Sequence, residues 1–402
     1  MPFENPQNII RSWNLQSNFA TGPVVVDKLT PPPFGRIRTN FISTWREENL
    51  DCRLDWGKKD FSVYLPESLQ VVGGIYLKIA LPGNSAGTAY KDYPGLYALD
   101  KVRLVSGGQE VYSCDVQVML GDYCQSLSEE QLKVFARTYL GHQASMDGNA
   151  RNIMIPILLP NSAYGSRNGH DTRGHGVFPA KLGNQRLEIQ LSLCEAKNLS
   201  SSTEQAPGSI ANACSLMYHE IQMTGQNARK YQDLRGGYSI INRRFTEITS
   251  GWTDLGDGDT AVVRHSQPQG TVTEIQIIAV QTFSDDPTRV EFKNYVRPTS
   301  IKCTADAIVQ RDLDTVQKVE AELWVNGFVP PDDFPAPGRL CFASHAAEAA
   351  HIYSGGYNMT LASNVDFEFT MPGGHAHKYR IFAVQLQRVK IDSAGRIRAL
   401  LE

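Results

Sequence analysis

Short runs of β-branched and aromatic residues recur along the whole chain, and turn-forming Gly, Pro, Asn and Asp residues separate them. Such runs predict β-strands, because branched and aromatic side chains pack well on a pleated, half-buried surface. The longest run covers Lys378 to Ile391, within the stretch from Gly338 to Arg396, and Gly-containing turns stand at both of its ends. The chain is therefore expected to complete a sheet near its C-terminus.

In the first half, two glycine pairs and one change of period add detail to the strand pattern. Gly73-Gly74 interrupts its run and predicts a bulge or a turn, whereas Ser106-Gly107-Gly108 is typical of a tight hairpin. The spacing from Ser128 to Leu140 predicts an inserted helix, since Ser128 and Gln131 have capping-box spacing. The predicted strands are Asp60 to Leu65, Leu69 to Leu81, Leu99 to Val105, Gln109 to Ser113, Asn152 to Leu159, Arg186 to Leu193 and Cys214 to Thr224.

The pattern starts again in the second half, with a similar number of predicted strands. Only one helix of consequence interrupts each half, so crossover helices and parallel sheets are not expected. The predicted strands are Tyr238 to Thr249, Ala261 to His265, Val272 to Thr282, Ser300 to Val309, Lys318 to Val325, Leu340 to Phe342, Asn358 to Leu361, Asp366 to Thr370 and Lys378 to Ile391.

These patterns predict an all-β fold class: two tandem eight-stranded antiparallel jelly rolls, with short helices inserted in loops. A chain of 402 residues exceeds the size at which one core usually stops growing, which favours two domains. The predicted organisation is an N-terminal arm at 1–35, a first jelly roll at 36–225, a linker at 226–237 and a second jelly roll at 238–402. Pro160 to Gly176 and Lys197 to Ser209 are expected to be exposed loops.

The N-terminal arm contains an apolar set, Ile9, Ile10 and Trp13, that would lie along one side of a short helix. Two interpretations stay open: the arm packs on its own domain, or it reaches a neighbouring subunit or a membrane surface. The arm has neither a basic segment followed by an apolar core nor a run long enough to span a bilayer. Neither signal-directed secretion nor a membrane span is therefore expected.

Charge and cysteine content bound the class of protein. A formal net charge of −3 argues against electrostatic binding of nucleic acid, which needs a marked excess of Lys and Arg, so no direct specific nucleic-acid binding is expected. The cysteines are scattered and odd in number, without a Cys-x-x-Cys pair, so we expect free thiols in or near the cores of a protein made in a reducing compartment. They are Cys52, Cys114, Cys124, Cys194, Cys214, Cys303 and Cys341.

No motif predicts catalysis, a metal site or a cofactor. Asp254, Asp257 and Asp259 resemble part of a calcium loop, but the Glu at the twelfth position is missing, which favours a solvated hairpin turn. No nucleophile elbow, zinc-protease motif or phosphate loop occurs, so we expect no enzyme activity and no cofactor. Three histidine pairs lack a nearby Cys or carboxylate at zinc spacing: His170 with His175, His345 with His351, and His375 with His377.

Two further residue types have ordinary interpretations. The sequons at Asn198 and Asn358 matter only in a secretory context. Four aromatic residues beside predicted strands are expected in the core rather than in ligand platforms: Trp56, Trp252, Trp324 and Phe328.

The order of several short motifs resembles that of double jelly-roll major capsid proteins, from large nucleocytoplasmic DNA viruses and related tailless viruses with an internal membrane. The first-half motifs are Thr39-Asn40-Phe41, Trp56-Gly57-Lys58-Lys59, Val72 to Pro82 and Ser106 to Tyr112. The second-half motifs are Leu323 to Gly327, Pro337 to Phe342 and Tyr379 to Val384. Cys341 and Ala343 stand where the family usually has Asn and Ser.

The resemblance implies a structural role in a virion. It implies a homotrimer, in which two jelly rolls per chain give six similar wedges that tile an icosahedral shell. It further implies assembly in the host cytoplasm, contacts with neighbouring capsomers and with minor capsid or penton proteins, and outward loops such as Pro160 to Gly176. The arm with Ile9, Ile10 and Trp13 would face inward or bridge neighbours, where it could touch an inner membrane or a minor protein.

Two alternatives remain open from the sequence. One is a carbohydrate-binding or carbohydrate-processing protein built on paired jelly rolls, which would need a cleft with aromatic platforms or paired carboxylates. The other is a minor capsid or spike component of the same kind of virus, which differs from the main proposal in copy number rather than in fold.

Overall fold

A computed structural model describes most of the chain as two compact units. The first unit comprises described parts of 41–121, 130–242 and 388–400, and the second comprises described parts of 122–129, 243–387 and residue 401. The described residues are 41–50, 54–69, 71–83, 89–125, 127, 129–142, 149–157, 178–179, 181–182, 185–200, 207–223, 238–266, 269–282, 295–326, 337–342, 356–391 and 397–401.

Strands dominate the first unit, and helices join some of them. Its strands are β1 Phe41–Asn49, β2 Phe61–Tyr64, β3 Val71–Leu81, β4 Leu99–Ser106, β5 Gln109–Asp115, β6 Arg151–Ile157, β7 Phe178–Pro179, β8 Lys181–Leu182, β9 Gln185–Leu193 and β10 Cys214–Met223. Its helices are α1 Pro94–Ala98, α2 Val116–Gln125, α3 Glu129–Phe135, a π-helical turn Ala136–Leu140 and a 3-10 turn Ala196–Leu199. The last residues of α2 are grouped with the second unit.

The second unit is built in the same way. Its strands are β11 Tyr238–Glu247, β12 Thr253–Leu255, β13 Thr260–Ser266, β14 Thr271–Gln281, β15 Ser300–Ala305, β16 Ile308–Leu313, β17 Gly338–Cys341, β18 Tyr357–Asn358, β19 Asn364–Thr370, β20 His377–Ile391 and β21 Ile397–Leu401. Its helices are α4 Val316–Val325 and a 3-10 turn Met359–Leu361. Some residues of β11, β20 and β21 are grouped with the first unit.

Both units have the same strand order when their eight main strands are counted along the chain. In the first unit, the sheets have the orders β1-β10-β3-β6 and β2-β9-β4-β5. In the second unit, they have the orders β11-β20-β14-β17 and β13-β19-β15-β16. Each unit therefore has one sheet of order 1-8-3-6 and one of order 2-7-4-5, which is the double-sheet arrangement of a jelly roll. The predicted fold class is confirmed.

Alternating burial places a core between the two sheets of each unit. In β9, Leu187, Ile189 and Leu191 are fully buried, and the residues between them are more exposed. In the second unit, Ile277 of the 1-8-3-6 sheet and Phe367 of the 2-7-4-5 sheet belong to one apolar cluster. Inward-facing residues from both sheets interdigitate in this way in a β-sandwich.

Both glycine signals in the first half are confirmed. Gly107 and Gly108 form a two-residue hairpin turn with φ of +58° and +77°, values that a glycine adopts without strain. The β3–β10 register shifts between Tyr218 and Glu220, where Gly73 and Gly74 lie opposite the single residue His219. This offset is the predicted bulge.

The predicted strand at Lys318 to Val325 is wrong, because this segment is the helix α4. Its alternating apolar residues suit a strand, but Val319 and Leu323 also lie one helical turn apart and are both buried. Thr315 caps the helix by accepting a hydrogen bond from the Lys318 backbone N–H at 3.3 Å. The first three residues of the Leu323-to-Gly327 motif are therefore helical.

Three other predictions need smaller corrections. The single run Ser300 to Val309 is two strands, β15 and β16, joined by a turn. Only Tyr357–Asn358 is a strand near Asn358 to Leu361, because Met359–Leu361 forms a 3-10 turn. The Asp254–Asp259 turn joins β12 and β13, which pair in different sheets, so it is not a hairpin.

The helix predicted from Ser128 to Leu140 is present over Glu129–Phe135 and continues as the π-helical turn Ala136–Leu140. Helix α2, just before it, was not predicted. Among the described residues, no helix is long and apolar enough to cross a membrane.

Candidate assembly surfaces

Several residues singled out from the sequence lie outside the described residues. They are Ile9, Ile10 and Trp13 of the arm, the loop 160–176, the linker 226–237, Cys52, Phe328, His170, His175, His345 and His351. The role of the arm and the predicted domain boundaries therefore remain predictions.

Two of the described candidate metal ligands, Asp254 and Asp257, make structural contacts. No group of three or more His, Cys, Asp or Glu residues could hold a metal ion in the described part of the chain. Asp257 Oδ1 accepts a hydrogen bond from the Gly374 backbone N–H, and Asp254 forms an ion pair with Lys378 at 3.0 Å. His375 is exposed, and burial lowers the pKa of His377 in β20 despite the nearby Asp257 carboxylate.

Six of the seven cysteines lie in the described residues, and all six are buried free thiols, as predicted. Burial raises the pKa of Cys114, Cys214 and Cys303 to about 12. Thiols with so high a pKa are poor nucleophiles at neutral pH, because the thiolate is the reactive form.

A buried ion pair lies on the 1-8-3-6 sheet of the second unit, on the face turned away from the apolar core. Arg339 Nη1 on β17 lies 2.8 Å from Glu274 Oε1 on β14, and both side chains are fully buried. Gln276 donates a second hydrogen bond to the same carboxylate oxygen. Removing one member would leave an uncompensated buried charge, so this pair constrains how the sheet face is packed.

The connection between the fifth and sixth strands carries helices in both units. In the first unit, Phe135 and Tyr139 continue a ring stack onto Tyr76 of β3, with centroid distances of 5.1 Å and 5.7 Å. In the second unit, Glu322 of α4 accepts hydrogen bonds from Arg311 of β16 at 2.7 Å and from the Cys341 backbone N–H at 2.8 Å. Both connections are thus fixed to their own sheets.

The outer face of the 1-8-3-6 sheet is partly open in the first unit. Trp45 of β1 pairs with His219 of β10, and their rings stack at a centroid distance of 4.9 Å. Trp45 is 53% exposed, and Met217 and His219 are half-buried. We call the surface of Trp45, Met217 and His219 the β1–β10 face.

The equivalent face of the second unit is buried. Both units have a one-residue bulge in the third strand, and alignment on this bulge places Phe382 at the position of Met217 and Val384 at that of His219. Phe382 and Val384 are almost fully buried. At these two positions, the face is half-buried in the first unit and buried in the second.

The fifth strand is less buried in the second unit than in the first. In the first unit, Val111 and Tyr112 of β5 are buried, and Tyr112 donates a hydrogen bond to Met119 Sδ of α2 at 3.6 Å. In the second unit, the equivalent residues Gln310 and Arg311 of β16 are half-buried. Ile308 and Val309, which correspond to Gln109 and Glu110 of β5, are exposed. The exposed apolar residues of this edge and of the helix that follows are Ile308, Val309, Val316, Trp324 and Val325, which we call the α4–β16 surface.

The prediction that the strand-flanking aromatic residues lie in the core is wrong for Trp324, which is 72% exposed. The prediction failed because it placed Trp324 on a strand, whereas on α4 the buried positions are Val319 and Leu323. Trp56 and Trp252 are half-buried. Trp56 Nε1 donates a hydrogen bond to the Gly208 carbonyl at 3.0 Å, and the Arg380 guanidinium lies 5.7 Å from the Trp252 ring.

Comparisons of sequence find neither a matching protein-family profile nor a matching curated protein. Comparisons of structure find viral capsid proteins. The capsid of the virus PBCV-1 is similar with a TM-score of 0.65 at 13% identity, covering 93% of this chain and 99% of that one. The Faustovirus major capsid protein has a TM-score of 0.61 at 10% identity, covering 96% and 97% of the two chains. The mavirus major capsid protein has a TM-score of 0.53 at 9% identity, covering 89% and 90%.

These similarities extend over both units, and the strand order 1-8-3-6 and 2-7-4-5 occurs twice in the chain. The chain therefore has the double jelly-roll fold of viral major capsid proteins.

Proposed function

We propose that this chain is the major structural subunit of an icosahedral virus shell and that it forms homotrimeric capsomers. The observation that carries the proposal is the repeated strand order, which gives two similar jelly rolls per chain. In the proposed capsomer, each jelly roll is one wedge. A threefold axis turns two wedges into six, and six similar wedges suit a near-hexagonal lattice. The likeness to the PBCV-1, Faustovirus and mavirus capsid proteins over most of the chain supports this role.

The proposal assigns the chain to the virion, with assembly in the host cytoplasm and with a structural rather than an enzymatic role. Its partners are two further copies in the capsomer, neighbouring capsomers, and minor capsid or penton proteins. The N-terminal arm, with Ile9, Ile10 and Trp13, bridges to these neighbours or to an inner membrane. No nucleic-acid contact is included, in keeping with the net charge of −3.

Native mass spectrometry of the purified full-length chain tests the proposal. The expected mass is three times that of the 44.6 kDa chain. A monomer that binds glycans would instead favour the carbohydrate-binding alternative. A trimer present in only a few copies per purified particle would favour a minor capsid or spike component.

A further inference from the structure

The two jelly rolls repeat one topology but expose different apolar side chains. On the β1–β10 face of the first unit, Trp45 is exposed, and Met217 and His219 are half-buried where their counterparts in the second unit are buried. In the second unit, the α4–β16 surface is exposed, and its β16 residues Ile308 and Val309 are apolar where the first unit has Gln109 and Glu110. Each unit thus exposes an apolar surface of its own.

The α4–β16 surface has the size and composition of an interface core. Its five apolar side chains, summed individually, expose roughly 500 Å². This area is more than half of the approximately 800 Å² that each partner buries in a standard interface. Trp324 supplies the largest side chain, and tryptophan is enriched among the residues that dominate binding energy.

The α4–β16 surface is also held rigidly in place. Glu322 joins α4 to β16 through Arg311 and to β17 through the Cys341 backbone N–H. On the inner side of α4, Val319 and Leu323 are buried. A surface that is already ordered loses little conformational entropy when it binds a partner.

The β1–β10 face is a suitable receiving surface. The Trp45 ring is fixed by stacking on His219 and lies 5.8 Å from the Tyr76 ring at a tilt of 49°. Phe382 and Val384, the counterparts of Met217 and His219, are buried in the second unit, so these positions of the fold accept burial against protein. We propose that the α4–β16 surface of one copy packs on the β1–β10 face of a second copy.

This inference rests on the proposed trimer and identifies its contact. Because the two surfaces differ, the contact is heterologous: each copy uses its second unit towards one neighbour and its first unit towards the other. Three such contacts close a ring around a threefold axis. The occupant of the α4–β16 surface is therefore another copy of this chain.

Substitution of Trp324 tests the role of the α4–β16 surface. In Trp324→Glu, a charge replaces the largest apolar side chain of the contact, and the concentration at which trimers dissociate should rise by about thirtyfold or more. Leu361→Glu is the matched control, because Leu361 is 84% exposed and lies outside the surface. Light scattering over a dilution series should leave Leu361→Glu trimeric. Trimers of Trp324→Glu as stable as wild type would overturn the inference.

Cross-linking tests the pairing of the two surfaces. Trp45→Cys and Trp324→Cys chains are co-expressed and oxidised, and the six described native cysteines are buried. A disulfide between one Trp45→Cys chain and one Trp324→Cys chain is expected. Disulfides only between two Trp324→Cys chains would indicate a symmetric contact and contradict the inference, as would the absence of any cross-link in a stable trimer. A monomeric wild-type protein would contradict both this inference and the proposed function.

Discussion

Val111 and Gln310 are the extra residues of the same bulge in two different sheets. In the first unit, Leu104 pairs with Tyr112 and Val105 with Glu110, which leaves Val111 unpaired in β5. In the second unit, Cys303 pairs with Arg311 and Thr304 with Val309, which leaves Gln310 unpaired in β16. Each bulge falls at the third residue after a two-residue turn, so the two jelly rolls agree in local register as well as in strand order.

The two turns before these bulges differ in sequence, and this difference predicts a stabilising substitution. Ala307 has a φ of +66° and Gly108 a φ of +77° in the equivalent position. The left-handed conformation costs a non-glycine residue about 1 kcal/mol. Ala307→Gly should therefore raise the free energy of unfolding by about that amount. Denaturant titration at a fixed protein concentration measures the change.

Gly108→Ala is the reciprocal control. A Cβ at Gly108 would meet nothing within 4 Å, so only the backbone conformation opposes the substitution. It should lower the free energy of unfolding by about 1 kcal/mol. Opposite signs at the two positions support the turn geometry, whereas a loss of stability in Ala307→Gly would contradict it.

The ion pair between Arg339 and Glu274 predicts strong coupling between two strands of one sheet. Arg339→Met leaves the buried Glu274 carboxylate without its 2.8 Å cation and should cost about 3–5 kcal/mol in stability. The double substitution Arg339→Met with Glu274→Leu removes both charges and should cost less than either single change. A double-mutant cycle from denaturant unfolding checks this, and additive losses would show that the two groups are not coupled.

The ion pair between Glu247 and Arg380 predicts that the free energy of unfolding decreases at acidic pH. Burial opposes ionisation of Glu247, but two contacts of 2.8 Å to the Arg380 guanidinium hold the pKa of this carboxyl below its usual value of 4.5. Because the pKa is lower in the folded state, the contribution is present above pH 4.5 and is lost as the pH falls through the lowered value.

The measurement compares wild type with Glu247→Gln over a range of pH. At pH 7 the variant should be less stable by about 2 kcal/mol, since it loses a charge-assisted pair. The difference should shrink below pH 4.5. A difference that stays constant down to pH 2 would mean that the pair does not lower the pKa of Glu247.

If the N-terminal arm bridges capsomers, its deletion should prevent shell assembly without affecting folding. Deletion of residues 1–30 removes Ile9, Ile10 and Trp13 but no described residue. The deleted protein should form folded trimers, as judged by circular dichroism and light scattering, and should fail to assemble shells. Normal particles from the deletion would show that the arm is dispensable for assembly.

Sequence patterns predicted the β architecture because a strand that is buried on one face has an apolar residue at every second position, as in Leu187, Ile189 and Leu191 of β9. Glycine pairs predicted the bulge at Gly73-Gly74 and the turn at Gly107-Gly108 because backbone geometry there requires glycine or favours it. Helix α4 was missed because its apolar residues fit both periods, and only burial of Val319 and Leu323 distinguishes them. The wrong prediction that Trp324 lies in the core followed from the same error.

The two candidate assembly surfaces could not be predicted from the sequence. Trp45 and His219 are 174 residues apart, and their stacking depends on the β1–β10 register. The burial of Val111 and Tyr112 in β5 likewise depends on what covers the strand, which no local pattern encodes. Only the repeated topology makes these positions comparable.

Electron microscopy of the purified full-length protein tests the central claim most directly. If the chain is a capsomer built from two jelly rolls per copy, class averages will show threefold particles with a pseudo-hexagonal outline, in which six similar wedges surround the axis. Monomers, or oligomers without a threefold axis, would contradict the proposed role.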